Sequence, residues 1–166
     1  MKTLFIGGIK SGKSKLAESY VLEHCKSLAK PCYLATNEVL DAEMKKRIAI
    51  HKQRRKEQFI TLEEPINLLE TISLCDTPVL VECVTMWLNN KLHYNYSEHD
   101  TLQELKEVLL LPNDIVFVHN EVGFGVIPDN ALARQFVDLS GKAAQLMGRY
   151  CEQVFWCSAG LKIPMK

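Results

Sequence analysis

Gly7-Gly8-Ile9-Lys10-Ser11-Gly12-Lys13-Ser14 decides the fold, because this stretch fits the phosphate-binding loop pattern G-x-x-x-x-G-K-[ST]. A short apolar strand pattern over 3–6 precedes it, and a helical pattern over 15–22 follows it. In such a loop the backbone N–H groups point at phosphate oxygens, the lysine reaches the β- and γ-phosphates, and the following hydroxyl can hold Mg²⁺. The start of the helix adds the positive end of its dipole. The sequence therefore predicts a nucleoside triphosphate site.

Continuously apolar runs recur along the chain and alternate with helical patterns. Such runs are typical of strands buried on both faces of a sheet, and strand–helix alternation favours a mostly parallel sheet. The sequence therefore predicts an α/β fold of the P-loop NTPase class (RecA-like), with helices flanking the sheet and ligands at the carboxyl ends of the strands. Predicted strands lie at 3–6, 32–36, 79–82, 115–119 and 154–157, and predicted helices near 13–29, 41–57, 65–74, 84–92, 100–110 and 129–150.

Composition limits the function classes that remain. A length of 166 residues predicts one domain over 1–166. With the phosphate loop, we expect it to be a single P-loop nucleotide-binding catalytic domain. The 20 basic and 20 acidic residues give zero net charge, so no overall basic field favours nucleic acid or an anionic membrane. No apolar run approaches the roughly 20 residues that span a bilayer, and the first residues form a strand pattern rather than a signal peptide. We therefore expect a cytoplasmic protein with no membrane span and no nucleic-acid partner.

The cysteine pattern also indicates a reducing compartment. None of the six cysteines forms a C-x-x-C pair, and most lie in apolar surroundings. This pattern predicts buried thiols rather than a disulfide framework or a zinc site. The residues concerned are Cys25, Cys32, Cys75, Cys83, Cys151 and Cys157.

A strongly basic segment follows the second predicted strand. On its predicted helix, Arg47, His51 and Arg55 share one face at i, i+4 spacing. Flanking cations can clamp a polyphosphate and keep the imidazole unprotonated, and a neutral imidazole can attack the α-phosphate of a nucleotide. The charge pattern by itself favours a different interpretation, a solvated basic helix face with an incidental histidine.

Acidic and polar residues lie where other predicted strands end. Ala35-Thr36-Asn37 closes the second strand, and Glu82 closes the third. Glu82 occupies the position of a Walker B acid, which holds Mg²⁺ directly or through water, although the usual residue there is Asp. A metal or nucleotide role is therefore predicted for Glu82.

Two further segments each allow two interpretations. In Thr61-Leu62-Glu63-Glu64-Pro65, Thr61 fits a helix cap with Glu64 at the third helical position, whereas Glu63 fits a ligand contact. Residues 119–128 follow the fourth predicted strand and contain two glycines and a proline. They fit either an acceptor-binding loop or a structural crossover.

Taken together, these residues resemble the bifunctional adenosylcobinamide kinase/adenosylcobinamide-phosphate guanylyltransferase family of cobalamin assembly. The resemblance covers nearly the whole chain, and it is specific because the blocks after the phosphate loop keep the family's order and spacing. The most specific blocks are Val81-Glu82-Cys83-Val84-Thr85-Met86-Trp87-Leu88-Asn89-Asn90 and Asn120-Glu121-Val122-Gly123-Phe124-Gly125-Val126-Ile127-Pro128. Further blocks are 7–14, 33–36, 41–44, 47–48, 51–55 and 61–65, followed by Asn130, Leu132-Ala133-Arg134 and Phe136.

The resemblance implies two reactions. A nucleoside triphosphate phosphorylates the aminopropanol hydroxyl of the corrinoid adenosylcobinamide, and GTP then transfers GMP through a guanylyl-histidine to the new phosphate. By motif match that histidine is His51, and the resemblance implies GTP, ATP and Mg²⁺ as cofactors and a homotrimer as the assembly. The implied nucleotide contacts are Gly7, Gly8, Ile9, Lys10, Ser11, Gly12, Lys13, Ser14, Ala35, Thr36, Asn37, Lys52, Gln53, Arg54, Arg55, Glu63 and Glu82, with Ser14 and Glu82 also contacting the metal.

The sequence departs from the family pattern at two positions and in a C-terminal segment, 158–164, that is short but recognisable, and it leaves other functions open. Lys56 stands where relatives commonly have proline, and Phe59 stands where an aromatic residue, often Trp, is usual. Neither is the nucleophile or part of the phosphate loop, but it stays open whether both activities are kept. Glu82 and Glu121 are both candidates for the general base of the kinase step. The alternatives are a simple P-loop kinase without a covalent nucleotide, and a nucleotide-binding regulatory module whose basic helix engages a partner.

Overall fold

The computed structural model describes residues 1–24, 29–38 and 57–166, and a seven-stranded sheet forms their centre. The strands are β1 (Lys2–Gly7), β2 (Cys32–Ala35), β3 (Ile60–Glu63), β4 (Val79–Glu82), β5 (Ile115–Asn120), β6 (Gln153–Ser158) and β7 (Leu161–Pro164). Their order is β3-β2-β4-β5-β1-β6-β7. All neighbouring strands are parallel except β6 and β7, so the prediction of a mostly parallel sheet is confirmed.

Helices cover both faces of the sheet. Within the described ranges they are α1 (Lys13–His24), α2 (Leu68–Ser73), α3 (Val84–His93), α4 (Glu98–Leu110) and α5 (Ala131–Tyr150). The α1 helix packs on one face, whereas the other four pack on the opposite face. None of the helices in these ranges is both long and apolar enough to cross a membrane.

The double covering explains why the central strands are continuously apolar. In β1, Phe5 packs with Tyr20 and Val21 of α1, whereas its neighbours Leu4 and Ile6 belong to the cluster on the opposite face. Every residue of β1 is buried. Side chains of a strand alternate between the two faces, so a strand with an apolar cluster on each face has no position left for a solvated polar residue.

The predicted elements are found with small shifts at their ends. All five predicted strands are present, and the last four predicted helices correspond to α2, α3, α4 and α5 with ends displaced by at most three residues. The first helix is described over Lys13–His24, and residues 25–28 of its predicted range lie outside the described residues. The predicted helix near 41–57 falls on 39–56, outside the described residues.

Two strands, β3 and β7, were not predicted. The interpretation of Thr61 as a helix cap is wrong, because Thr61 lies in β3 and pairs with Tyr33 of β2. Both strands lie at the edges of the sheet and their residues are exposed or half-buried. Edge strands carry little continuous apolar sequence, so the pattern that marks central strands is absent there.

The cysteines in the described ranges are free thiols. The prediction that they are buried is confirmed for Cys32, Cys83, Cys151 and Cys157, whereas Cys75 is half-buried. Burial raises the pKa of the Cys151 thiol to about 12 and also raises the pKa of Cys83. These thiols therefore stay protonated at neutral pH and act as small apolar side chains.

Candidate nucleotide site

The phosphate-binding loop joins β1 to α1 at the carboxyl edge of the sheet. Within it, the Ser11 N–H donates to the Gly8 carbonyl at 3.2 Å, and the Leu16 N–H donates to the Gly12 carbonyl at 3.1 Å, where α1 begins. Gly12 has a φ of 94°, in the left-handed region that glycine adopts without a steric penalty. The Ser11 Oγ is buried and has no hydrogen-bond partner within the described ranges. This curled backbone can direct several N–H groups at one anion.

The side chains of the loop meet the end of β4. The Ser14 Oγ donates to Glu82 Oε1 at 2.7 Å, and the Lys13 ammonium donates to the Gly8 carbonyl at 3.0 Å. Burial lowers the pKa of Lys13 from its ordinary value, while nearby Cys83 and Glu82 oppose that shift. An anionic ligand would stabilise this buried cation further. A hydroxyl and a carboxylate are the hard oxygen ligands that Mg²⁺ prefers, so Ser14 and Glu82 fit the predicted metal contact.

Two more predicted contacts, Ala35 and Glu63, lie in one row with Glu82 across neighbouring strands, and Asn37 follows the end of β2. Ala35 at the end of β2 pairs in register with Glu63 of β3 and with Glu82 of β4. Glu63 is exposed, and Ala35 and Asn37 are half-buried. Because adjacent strands lie about 4.8 Å apart, these residues occupy the same carboxyl edge as the phosphate loop. The predicted contacts in the described ranges thus lie along one edge of the sheet, with β3 four strands away from β1.

Thr36, another predicted contact, is fully buried and holds two strand ends together. Its hydroxyl accepts the N–H of Cys83 at 2.9 Å and donates to the Cys83 carbonyl at 2.8 Å. Its own N–H donates to the Glu82 carbonyl at 3.0 Å. The Asn90 amide of α3 donates to the Thr36 carbonyl at 2.8 Å. Thr36 therefore sets the position of Glu82 through these backbone bonds.

A buried polar chain supports the end of β5. His119 is 1% exposed, its Nδ1 lies 3.1 Å from the Thr85 hydroxyl, and its Nε2 lies 3.1 Å from the Ser140 hydroxyl. The Thr85 hydroxyl also accepts the N–H of Asn120 at 2.7 Å. Burial lowers the pKa of His119 to about 4, and the charge of Lys13 acts in the same direction. The imidazole is therefore neutral at physiological pH and links β5 to α3 and α5.

The loop after β5 begins beside the phosphate loop. The Glu121 N–H donates to the Gly7 carbonyl at 3.0 Å. The Glu121 carboxylate accepts the Gly123 N–H at 2.6 Å, so this candidate base is engaged by its own loop. Further on, Arg134 of α5 donates to the carbonyls of Pro128 and Asp129 at 2.8 and 2.7 Å.

Large apolar side chains of this loop face solvent. Phe124, Val126 and Ile127 are 81%, 94% and 78% exposed. The Phe124 ring lies 5.3 Å from the ring of Trp156 on β6. A pocket of about 190 Å³ lies between the loop and α5, lined in part by Val122, Pro128, Arg134 and Asp138. The loop thus presents an apolar surface at the same edge as the phosphate loop.

The predicted nucleophile and the basic segment are not covered by these observations. His51, Lys52, Gln53, Arg54 and Arg55 lie outside the described residues. Their roles remain predictions from the resemblance.

Sequence reasoning missed two supports of the site. One is the His119 chain, for which the only sequence signal is a polar residue at the end of an apolar strand. The other is the turn between β6 and β7, whose Gly160 N–H donates to the Ser11 carbonyl at 2.9 Å. The sequence could not predict this contact, because no short-range pattern connects residues 11 and 160.

The phosphate-binding loop, the acid at the end of β4 and the parallel sheet define a nucleotide-binding α/β protein of the P-loop NTPase class. The fold is similar to that of a solved ATPase domain, with a TM-score of 0.52 over 93% of this chain and 68% of that chain. The sequence identity is 7%, so this likeness concerns the fold alone.

The family follows from the sequence comparison. The model of the family described as cobinamide kinase / cobinamide phosphate guanyltransferase matches residues 3–165, and the chain belongs to this family. A protein of Pseudomonas aeruginosa named bifunctional adenosylcobalamin biosynthesis protein CobP is 38% identical over 174 residues, covering 100% of this chain and 98% of that protein. The Escherichia coli protein named bifunctional adenosylcobalamin biosynthesis protein CobU is 32% identical over 185 residues, covering all of both chains.

Proposed function

We propose that this protein is a bifunctional enzyme of adenosylcobalamin biosynthesis, acting as adenosylcobinamide kinase and as adenosylcobinamide-phosphate guanylyltransferase. The observation that carries the proposal is the convergence of Lys13, Ser14 and Glu82 at the carboxyl edge of the sheet in a chain of this family. That convergence supports binding of a triphosphate with Mg²⁺.

In the kinase step the substrate hydroxyl attacks the γ-phosphorus of ATP or GTP and loses its proton to a general base, for which Glu82 and Glu121 are the candidates. The bond from the γ-phosphorus to the β–γ bridging oxygen breaks, and ADP or GDP leaves. Lys13 stabilises charge on the β- and γ-phosphates, and the N–H groups of the loop orient them. Bound Mg²⁺ would neutralise developing phosphate charge, with Ser14 and Glu82 holding it. Ala35, Asn37 and Glu63 would contact the nucleotide from the same edge, whereas the buried Thr36 would act by holding the end of β2 against Cys83.

In the transfer step His51 is the nucleophile. Its imidazole nitrogen attacks the α-phosphorus of GTP, a P–N bond forms, and the bond to pyrophosphate breaks. The phosphate of adenosylcobinamide phosphate then attacks the same phosphorus, the P–N bond breaks, and adenosylcobinamide-GDP leaves. Dividing the transfer in two lets one activated group serve first as nucleophile and then as leaving group. Lys52, Gln53, Arg54 and Arg55 would contact the nucleotide, and the arginines would stabilise the departing pyrophosphate.

The acceptor and the assembly complete the proposal. The corrinoid approaches from the side of the loop after β5, which begins beside Gly7 and exposes Phe124, Val126 and Ile127. We further propose a homotrimer, as the family resemblance implies, and a cytoplasmic location, as the cysteine pattern implies.

The test of the covalent step is the intact mass of the protein after incubation with GTP and Mg²⁺. The native chain should gain the mass of one GMP, and His51→Ala should gain none while still binding GTP. Addition of adenosylcobinamide phosphate should remove the adduct from the native chain and release adenosylcobinamide-GDP. GTP binding without any adduct would contradict the transferase and leave the simple kinase.

The kinase step has a separate readout. ADP or GDP formation should require adenosylcobinamide and should persist in His51→Ala, because γ-phosphoryl transfer does not use that histidine. Hydrolysis that is slow and indifferent to the corrinoid would instead support the regulatory module.

A further inference from the structure

The turn of the C-terminal hairpin touches the phosphate loop through backbone atoms. The Gly160 N–H donates to the Ser11 carbonyl at 2.9 Å. A Cβ atom placed on Gly12 would lie 2.9 Å from the Gly160 Cα, and one placed on Gly7 would lie 2.2 Å from the Cys157 carbonyl oxygen. Backbone atoms cannot rotate away as side chains do, so these two segments are in fixed contact.

The geometry of the turn leaves the Gly160 N–H available for this bond. Ala159 and Gly160 form a two-residue connection between the paired residues Ser158 and Leu161. Their φ angles are 52° and 78°, as a type I′ hairpin turn requires at both central positions. In such a turn the first and last residues close the ladder, and the N–H of the second central residue points outward. Here it points at the phosphate loop.

The hairpin is anchored at its other end. The Lys166 ammonium donates to the carbonyls of Gly148, Arg149 and Cys151 at the end of α5, at 3.3, 3.2 and 2.8 Å. The Met165 N–H donates to the Val154 carbonyl at 2.8 Å. The hairpin is therefore tied to the end of α5 at one end and contacts the phosphate loop at the other.

The Ser11 carbonyl is the group whose direction matters. A phosphate loop binds anions through its N–H groups, and a carbonyl oxygen turned into the same space would repel a phosphate. The bond from Gly160 holds this carbonyl toward the hairpin. We propose that Gly160 is a positioning residue for the triphosphate, and that the 158–161 turn keeps the phosphate loop in its anion-binding shape. This proposal rests on the proposed use of the loop for nucleotide.

The test compares the affinities of inorganic tripolyphosphate and of GTP, each with Mg²⁺, by calorimetry on the full chain. Gly160→Val cannot hold a φ of 78° and should reshape the turn, weakening both ligands by a similar factor of about five to ten, the value of one hydrogen bond. Gly160→Asn tolerates the left-handed region and keeps the N–H, so its affinities should stay within about twofold of the native ones. Both variants are measured at a temperature well below the midpoint of their thermal unfolding, where a loss of stability alone does not change the affinity.

A second variant covers the case in which Gly160→Val does not fold. Insertion of one glycine after Ala159 lengthens the turn and leaves both strands unchanged. It should lower the affinity for tripolyphosphate by a similar factor. Unchanged affinity for tripolyphosphate in the variants would overturn the proposal, and so would a loss confined to GTP, which would assign the turn to the nucleoside. A native chain that binds neither ligand would overturn both this proposal and the proposed function.

Discussion

The phosphate loop and the loop after β5 leave adjacent strands of the same sheet but are built in different ways. The phosphate loop is held by backbone bonds to itself, to the C-terminal turn and, through Ser14, to β4. The loop after β5 is held near its ends, by Glu121 and Arg134, and exposes Phe124, Val126 and Ile127 between them. A small, highly charged ligand needs exact placement of donors, whereas a large apolar acceptor needs accessible surface.

The largest expected effect on activity comes from removing the positive charge of Lys13 from the phosphate loop. Lys13→Ala should lower both proposed activities by about 10²–10³, because a buried, preorganised cation is lost from the phosphates. The matched control is Lys15→Ala, two residues further along α1 and exposed, which should keep nearly native rates. Steady-state kinetics for both steps provide the measurement, and equal losses in the two variants would contradict the assignment of Lys13.

The buried His119 at the end of β5 should make the free energy of unfolding depend on pH. The pKa of His119 is about 4 in the folded protein against an ordinary value of 6.5, so the unfolded chain binds more protons between these values. The contribution of neutral His119 to the free energy of unfolding, about 3 kcal/mol, is fully present above pH 6.5 and is lost as the pH falls toward 4. Urea unfolding from about pH 7 to about 4.5 should give a smaller slope of unfolding free energy against pH for His119→Gln than for the native chain. Equal slopes would exclude a neutral buried imidazole.

A smaller effect on the free energy of unfolding is expected from Thr36, which joins the end of β2 to Cys83. Thr36→Val leaves the Cys83 N–H and carbonyl without their shared hydroxyl partner, which should cost about 1–3 kcal/mol of unfolding free energy. Thr36→Ser keeps the hydroxyl and should lose less. The comparison is made by denaturant unfolding, and a Ser variant as unstable as the Val variant would show that the lost contact is the methyl group instead.

The smallest effect on stability should come from the exposed loop. Val126→Ser removes an apolar side chain that is 94% exposed and should change the unfolding free energy by less than about 0.5 kcal/mol. Val116→Ser, in the buried part of β5, should destabilise the protein by more than about 2 kcal/mol. The KM for the corrinoid should rise in Val126→Ser while the affinity for GTP stays unchanged. A KM equal to the native value would remove Val126 from the proposed acceptor surface.

The predictable part of the site is the part encoded in short stretches of chain. The eight residues from Gly7 to Ser14 specify a phosphate loop because local backbone conformation depends on nearby residues. Glu82 could be assigned because it ends an apolar strand. The edge strand β3 escaped prediction, and Thr61 with it, because an edge strand lacks the continuous apolar pattern of its neighbours.

The sequence by itself determined the class of fold, the phosphate loop and the family resemblance, since all three depend on local pattern and on the order of motifs. Only the tertiary structure decided that Thr36 secures Cys83, that His119 is neutral between two hydroxyls, and that Gly160 supports Ser11. Each of these contacts joins residues that are far apart in the chain, as in the pairs His119–Ser140 and Ser11–Gly160. Ser11 meets Gly160 because β1 lies beside β6, and Thr36 meets Cys83 because β2 lies beside β4. His119 meets Ser140 because α5 packs on the sheet. This arrangement is a property of the packed sheet and its helices rather than of any one segment.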